Sequence, residues 1–423
     1  MGYDTKKERR ELEREIESEN KAKRAVEAHN DYLFKQLWPS LYKKYSGGHI
    51  DEKLALFASS SSSVLTANLQ PVYDYLKAKK YICVFIGKYE NPNPEKKNKK
   101  AEFEYYKNLF SFFGRCKCLY IDDTFLPAYA ITPRKGQKII QLWHFCASTT
   151  SWGYLEYSHR DKKREIIDKY PLHSTYTAVS VASDAVKPIF ASALKCKEEI
   201  VHAWGCPKTD VYFDKSFLGS ARAKVIKSIP NLSSRIDGRK IILYAPDPRG
   251  SSDTDRAICA SPDYMMLKRQ LGENYIIIRR LSQEVYDVER KIEYFKAFLG
   301  DFVFDVPPTV PDDVLLAAAD ILVTDYSSLI FDYSLLERPI FFYAFDIKVY
   351  RREHDLSLKH EEEIPGPFVG DSAELADEIL KADEFFDSKS VRHFKSKYMA
   401  GCNGHSSGRI AHYTIMKPSG ENR

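Results

Sequence analysis

A short apolar run, Ile321-Leu322-Val323-Thr324, passes into Asp325-Tyr326-Ser327-Ser328 and then into a helical pattern that carries Asp332 one turn on. The free amides that open a helix, assisted by the hydroxyls of Ser327 and Ser328, make a place for a phosphate or pyrophosphate. Asp325 or Ser327 acting only as a helix cap accounts for the same pattern, and the two roles are compatible. A second apolar run ends in Gln141-Leu142-Trp143-His144. It puts at a strand end an imidazole whose charge changes near neutral pH, as a general base requires. A lone histidine is also commonly structural. Two more strand-like runs end in cations, Tyr244-Ala245-Pro246-Asp247-Pro248-Arg249 and Ile278-Arg279-Arg280-Leu281-Ser282. Arginines leaving neighbouring strands at one sheet edge converge on a diphosphate, although each alone reads as a solvated surface charge. Asn403-Gly404-His405-Ser406-Ser407-Gly408-Arg409 adds one more turn, helix start and arginine.

These groups need strands to carry them. Short continuous apolar runs at Tyr81–Gly87, Cys118–Ile121, Lys138–Trp143, Thr177–Ala182 and Ile200–Ala203 predict a first set of buried parallel strands. A second set follows at Lys240–Tyr244, Tyr275–Ile278, Phe302–Phe304 and Ile321–Thr324. Helical stretches between them make two α/β units in tandem, and ligands of such sheets bind at the carboxyl ends of the strands. The polar segment from Asn231 to Arg239 reads as the hinge, and Ser59 to Ser63 as a linker. Residues 5 to 46 read as helix. Its second half sets Tyr32, Leu33, Phe34, Leu37, Trp38, Leu41, Tyr42 and Tyr45 beside Lys35, Lys43 and Lys44. Packing onto its own domain or a second subunit is the first reading of that face; lying on an anionic membrane surface is the second.

With 423 residues the chain is too long for one ordinary domain. Its net charge of +5 suits an anionic substrate or an acidic membrane surface and gives no ground for a nucleic-acid partner. The eight cysteines are scattered in sequence without CxxC or zinc spacing, so they read as reduced thiols of a cytoplasmic protein. Neither a signal-peptide core nor an apolar run of spanning length is present, which leaves a membrane role peripheral.

From Tyr81 to Ile410 the chain resembles the CDP-glycerol glycerophosphotransferase family, which builds teichoic acids and related capsules. The resemblance rests on ordered motifs: Gln141 to His144 with Gly153-Tyr154 following, Gly205-Cys206-Pro207-Lys208-Thr209-Asp210, Tyr244 to Arg249, Asp320 to Asp332, Glu363-Ile364-Pro365-Gly366-Pro367, and Asn403 to Arg409. It implies an α/β fold of GT-B architecture, with two Rossmann-like domains facing a cleft and an N-terminal helical extension. The expected divisions are 1–58 for the extension, 59–235 for the acceptor domain, 236–395 for the donor domain and 396–423 for a helix crossing back.

The resemblance further implies transfer of glycerol phosphate or ribitol phosphate from a CDP-linked donor to a hydroxyl, releasing CMP, with no metal or other cofactor. His144 would be the catalytic base. Lys208, Pro246, Arg249, Arg280, Ser282, Ser327, Ser328, Asp332, Asn403, Gly404 and Arg409 would bind the donor. The acceptor would be a polymer or lipid-linked hydroxyl met at the inner face of the cell membrane, with room left for a homo-oligomer. Three positions depart from the family pattern: Ser282 stands for a second histidine, Ala147 for a glycine and Thr150 for a lysine. Arg279 or His159 is the candidate to replace the lost charge. A nucleotide-sugar glycosyltransferase of the same architecture and a catalytically silent nucleotide-binding subunit are the alternative readings.

Overall fold

The computed structural model describes residues 5–92, 98–159, 169–247, 261–281, 299–353 and 363–415. The N-terminal lobe is built on a six-stranded sheet of β1 (Asp51–Ala58), β2 (Ile82–Ile86), β3 (Cys116–Ile121), β4 (Lys138–Gln141), β5 (Ala178–Ser180) and β6 (Val201–His202). The C-terminal lobe carries β7 (Lys240–Tyr244), β8 (Tyr275–Arg279), β9 (Val303–Asp305), β10 (Ile321–Thr324), β11 (Ile340–Tyr343) and β12 (Phe368–Val369). The orders are β2-β1-β3-β4-β5-β6 and β12-β11-β10-β7-β8-β9, with every pairing parallel. Helices cover both faces, so β3, β8, β10 and β11 are buried along their whole length. That burial is why they read in the sequence as unbroken apolar runs. This is the GT-B arrangement expected.

Three strands were not expected. The first, β1, starts with Asp51-Glu52-Lys53 and becomes apolar only at Leu54, so it reads as the tail of the helical extension. It is a central strand, pairing with β2 and β3, and the N-terminal lobe therefore begins before residue 59. The other two, β11 and the two-residue β12, close the far edge of the second sheet.

The helical extension runs over Thr5–Tyr32, passes through a π turn at Leu33–Leu37 and continues over Trp38–Tyr45. Most of its aromatic face is turned away from solvent, Tyr32 excepted. Leu33, Leu37, Trp38, Leu41 and Tyr42 are buried in the lobe, with Trp38 against Tyr106 and Tyr42 against Phe113. The Tyr42 hydroxyl donates to Gln137 Oε1 at 2.6 Å, and Gln137 Nε2 in turn donates to the Phe113 carbonyl at 2.7 Å. Of the lysines beside that face, Lys35, Lys43 and Lys44 are exposed. The helix covers a core with most of this face, leaving Tyr32 as its exposed ring.

The chain returns to the first lobe at its C-terminal end. Gly401 N–H donates to the Ala182 carbonyl at 2.7 Å, and the helix Ser406–Ile415 lies against Leu69–Ala78. Between the lobes, Asn231 to Arg239 is a fixed connection: Arg239 donates to the carbonyls of Gly272 and Asp301 at 3.0 and 3.1 Å.

Truncating a side chain of the buried helical face tests this packing. Leu41→Ala is expected to destabilise the protein by about 2–5 kcal/mol, as large-to-small changes in a core do. Urea unfolding reads the change, and a shift below about 0.5 kcal/mol would mean that the helix does not cover the core.

Candidate active site

Three adjacent strands of the N-terminal lobe deliver side chains to one pocket at their carboxyl ends. After β1 comes Ser59-Ser60-Ser61, after β3 come Asp122 and Asp123, and after β4 comes His144. The pocket, about 240 Å³, is lined by Ser61, Thr66, Asn68, Asp122, Asp123, His144 and Lys208.

His144 sits on a turn that is held from several sides. Trp143 takes a left-handed backbone conformation with φ of 51°, uncommon for a bulky residue. Its N–H donates to Gln141 Oε1 at 2.8 Å, its carbonyl accepts from Asn68 Nδ2 at 2.6 Å, and its ring stacks on Trp152. Gln141 Nε2 donates to the Asp123 carbonyl at 2.9 Å, tying the ends of β4 and β3 together. The imidazole reaches solvent at the pocket mouth. Partial burial lowers its pKa below the ordinary histidine value, and the nearby Lys208 charge acts in the same sense. A neutral imidazole at the pocket mouth offers a ring nitrogen that can accept a proton.

The Asp122 carboxyl is pushed up to about 7, chiefly by burial and further by the charge of Asp123, against a hydrogen bond from Thr66 that lowers it. Asp123 Oδ2 accepts four hydrogen bonds, from Ser59 Oγ at 2.9 Å, Ser60 N–H at 2.7 Å, and Ser61 N–H and Oγ at 2.9 Å each. The serine run expected to be a linker is instead a cradle for this carboxylate.

Lys208 joins the pocket to the other lobe. Its ammonium lies 3.0 and 3.1 Å from the two carboxylate oxygens of Asp332. Burial opposes the ammonium, but the Asp332 charge outweighs it and holds the pKa of Lys208 above its usual value. Its backbone N–H donates to Asn68 Oδ1 at 3.0 Å, so Asn68 bridges the residue before His144 and the residue that meets Asp332. A second inter-lobe contact comes from the same loop as His144, where the Thr149 hydroxyl donates to the Tyr326 carbonyl.

On the C-terminal lobe, Pro246 and the half-buried Ser327 and Ser328 leave the ends of neighbouring strands β7 and β10. Asp325 Oδ1 accepts from the N–H groups of Tyr326 at 2.6 Å and Asp247 at 2.7 Å, fixing both turns. Ser327 Oγ accepts from Leu329 N–H at 3.3 Å, a capping role.

Several expected donor-binding residues are placed otherwise. Asp332 is buried and occupied by Lys208, so it pins the lobes where contact with a donor was expected. Arg280 is turned toward the segment after β9, donating to Asp312 Oδ1 at 3.0 Å and to the carbonyls of Pro307 and Val310. Arg409 clasps the returning chain, through the carbonyls of Trp204 at 2.9 Å and Gly401 and through Asn403 Oδ1 at 2.8 Å. Gly404, at φ of 84°, packs where a Cβ would strike Phe213. Asn403, Gly404 and Arg409 thus hold the C-terminal crossing. Arg249 and Ser282 lie outside the described residues. Of the candidates to replace lost charge, Arg279 is buried and paired with Asp305 at 2.6 Å.

The residues that motif reading missed are Asn68, Thr66, Asp122, Asp123 and the serine run. The available signal was a pair of aspartates directly after the apolar end of β3. The cysteines also differ from expectation. Cys146, Cys206 and Cys402 come from three distant segments, yet their sulfurs lie within 4.8 Å of one another, buried beside Asp332. Among the described residues this is the one group of three such side chains placed to hold a metal ion.

Comparison with known proteins points one way. The family model described as CDP-Glycerol:Poly(glycerophosphate) glycerophosphotransferase matches residues 41–416. The teichoic acid ribitol-phosphate primase of Bacillus spizizenii is 31% identical over 300 residues, 70% of this chain and 74% of that protein. The teichoic acid glycerol-phosphate primase of Bacillus subtilis is 25% identical over 378 residues, 88% of this chain and 87% of that protein. Among solved structures, the wall teichoic acid polymerase TagF superposes with a TM-score of 0.69 at 20% identity, covering 93% of this chain and 97% of that one.

The Lys208–Asp332 pair makes a prediction about stability. Removing one partner of a buried pair strands the other charge, so Lys208→Met is expected to cost about 3–5 kcal/mol. Adding Asp332→Leu should recover most of that loss in urea unfolding. A double variant as unstable as the single one would show that the pair is not what holds this contact.

Proposed function

The chain belongs to the CDP-glycerol:poly(glycerophosphate) glycerophosphotransferase family, and we propose that it moves glycerol phosphate or ribitol phosphate from a CDP-linked donor to the hydroxyl of a teichoic-acid or capsule-type acceptor. The acceptor oxygen attacks the β-phosphorus of the donor. The bond from that phosphorus to the bridging oxygen breaks, and CMP leaves with the oxygen. His144 takes the hydroxyl proton as the new bond forms. Positioning and charge, more than covalent chemistry by the protein, lower the barrier of such a transfer.

The observation that carries this reading is the placement of His144. Its ring is free on one side at the mouth of a polar pocket, beside the ammonium of Lys208, on a loop hydrogen-bonded to the Tyr326-Ser327-Ser328 turn of the opposite lobe. A donor held against Pro246, Ser327 and Ser328 would present its β-phosphate to that loop, with Lys208 the nearest cation from the acceptor side. We assign no metal to the step and expect side chains to offset the diphosphate charge.

No helix among the described residues is long and apolar enough to cross a membrane. A polymer or lipid-linked acceptor would be met at the inner membrane face. The exposed Lys43 and Lys44 are among the cations of the helical extension that could meet lipid phosphate there.

Incubation with labelled CDP-glycerol, CDP-ribitol and a panel of sugar nucleotides tests the reading: label should move from a CDP-polyol, and transfer from a sugar donor alone would replace it with glycosyl transfer. His144→Ala should lower the rate by about 10²- to 10⁴-fold while CDP still binds. A variant as active as the parent would mean that His144 is not the base, and a parent that transfers label from no donor would be a silent subunit. Because the lowered pKa keeps His144 neutral, the acidic limb of the rate should fall below about pH 6.5. EDTA should leave the rate unchanged.

A further inference from the structure

Two carboxylates in the pocket are only half satisfied. Asp122 is 2% exposed; its Oδ2 accepts from the Thr66 hydroxyl, while its Oδ1 is buried with no partner. Asp123 shows the same division, with four hydrogen bonds on Oδ2 and none on the buried Oδ1. A buried carboxylate oxygen without a donor costs more than almost any other polar defect, so two in one pocket call for a ligand that supplies donors.

The lining narrows what that ligand is. The Asp123 carboxylate, beside an Asp122 that burial keeps partly protonated near neutral pH, disfavours phosphate oxygens in this corner. A hard cation would find oxygen ligands here, but the Lys208 ammonium lines the same pocket and opposes a second positive charge. A neutral group rich in O–H donors meets both conditions. Its hydroxyls donate to the free oxygens, and one hydroxyl oxygen then lies beside His144.

We propose that Asp122 and Asp123 form the acceptor subsite, taking the terminal polyol of the acceptor through their free Oδ1 atoms and turning one of its hydroxyls toward His144. This inference rests on the function proposed above and adds to it the residues that recognise the acceptor. The serine cradle fixes Asp123 from behind, so its free oxygen keeps one direction. Asp122 and Asp123 are positioning residues, and the phosphate of the acceptor lies outside their reach on the Lys208 side.

Asp123→Asn is the informative variant. Backbone N–H groups of Ser60 and Ser61 both donate to Oδ2, so an amide there must keep its oxygen in the cradle and turn its NH₂ into the pocket. The acceptor site is thereby inverted with almost no change of shape. Asp122→Asn is the companion variant.

The experiment uses the full chain and a synthetic polyol-phosphate oligomer of two or three units, glycerol or ribitol, measured by calorimetry and in turnover. The expected result is an oligomer affinity and an acceptor kcat/KM lowered about 10- to 100-fold in each variant, with CDP affinity and melting temperature held. Oligomer binding equal to the parent in both variants, or no oligomer binding by the parent, overturns the assignment. So does magnesium or manganese binding that is lost in Asp123→Asn. An oligomer that binds the parent and not the variants, in a protein that transfers from no CDP-polyol, would retain the subsite and reject the function.

Discussion

An ammonium and a carboxylate meet in a nearly dry space between the two lobes, and this contact sets the geometry of everything else. Lys208 and Asp332 come from opposite lobes and lie about as close as an ion pair allows. Each would lose several kcal/mol on leaving water alone, so the lobes cannot slide apart at this point without leaving two stranded charges. The loop of His144 is carried along with it, because Asn68 holds both the Trp143 carbonyl and the Lys208 N–H. Asp210, two residues after Lys208, caps the returning helix through the N–H groups of Ser406 and Ser407 at 2.9 Å each. Base, cation and C-terminal crossing are thus linked through one short turn.

That turn also shows where a sequence motif and its physical role part company. Gly205-Cys206-Pro207-Lys208-Thr209-Asp210 reads as a cation offered to a phosphate. Its residues also meet a close chain crossing at Gly205, an inter-lobe ion pair at Lys208 and a helix cap at Asp210. A Cβ on Gly205 would lie 2.4 Å from the Gly401 carbonyl, so the returning chain could not pass. The same holds for Arg409 and Arg280, each of which donates to two backbone carbonyls and one side-chain oxygen of its own chain. Spacing along the chain reveals that such residues are needed. It does not reveal which partner takes them.

The sheets were legible because parallel strands buried on both faces leave an unmistakable apolar run, and Lys240–Tyr244 and Ile321–Thr324 carry the bounds expected of them. β1 was not, since half of it lies near the lobe surface and carries charge. His144 was legible as an imidazole at a strand end. The pocket around it was not, because its walls come from turns after β1 and β3, and five serines in a row look like any flexible connection. Their hydroxyls and amides acquire a purpose only when β1 lies beside β3 and brings Asp123 into the loop. The three thiols near Asp332 were hidden for the same reason: residues 146, 206 and 402 share no spacing.

The arrangement separates charge along the path of the reaction. The corner proposed for the acceptor is acidic and hydroxyl-lined, which would disfavour phosphate oxygens there. Lys208 stands between that corner and the donor lobe, partly neutralised by Asp332 and still facing the pocket. Burial, and after it the residual field of Lys208, lowers the basicity of His144, which makes the ring a weaker proton acceptor but favours its neutral form. A more basic imidazole beside two aspartates would hold its proton and could not accept another. The acidic pair and the lysine therefore act in opposite senses on one ring, and a hydroxyl seated between them meets a base that is free when the phosphorus arrives.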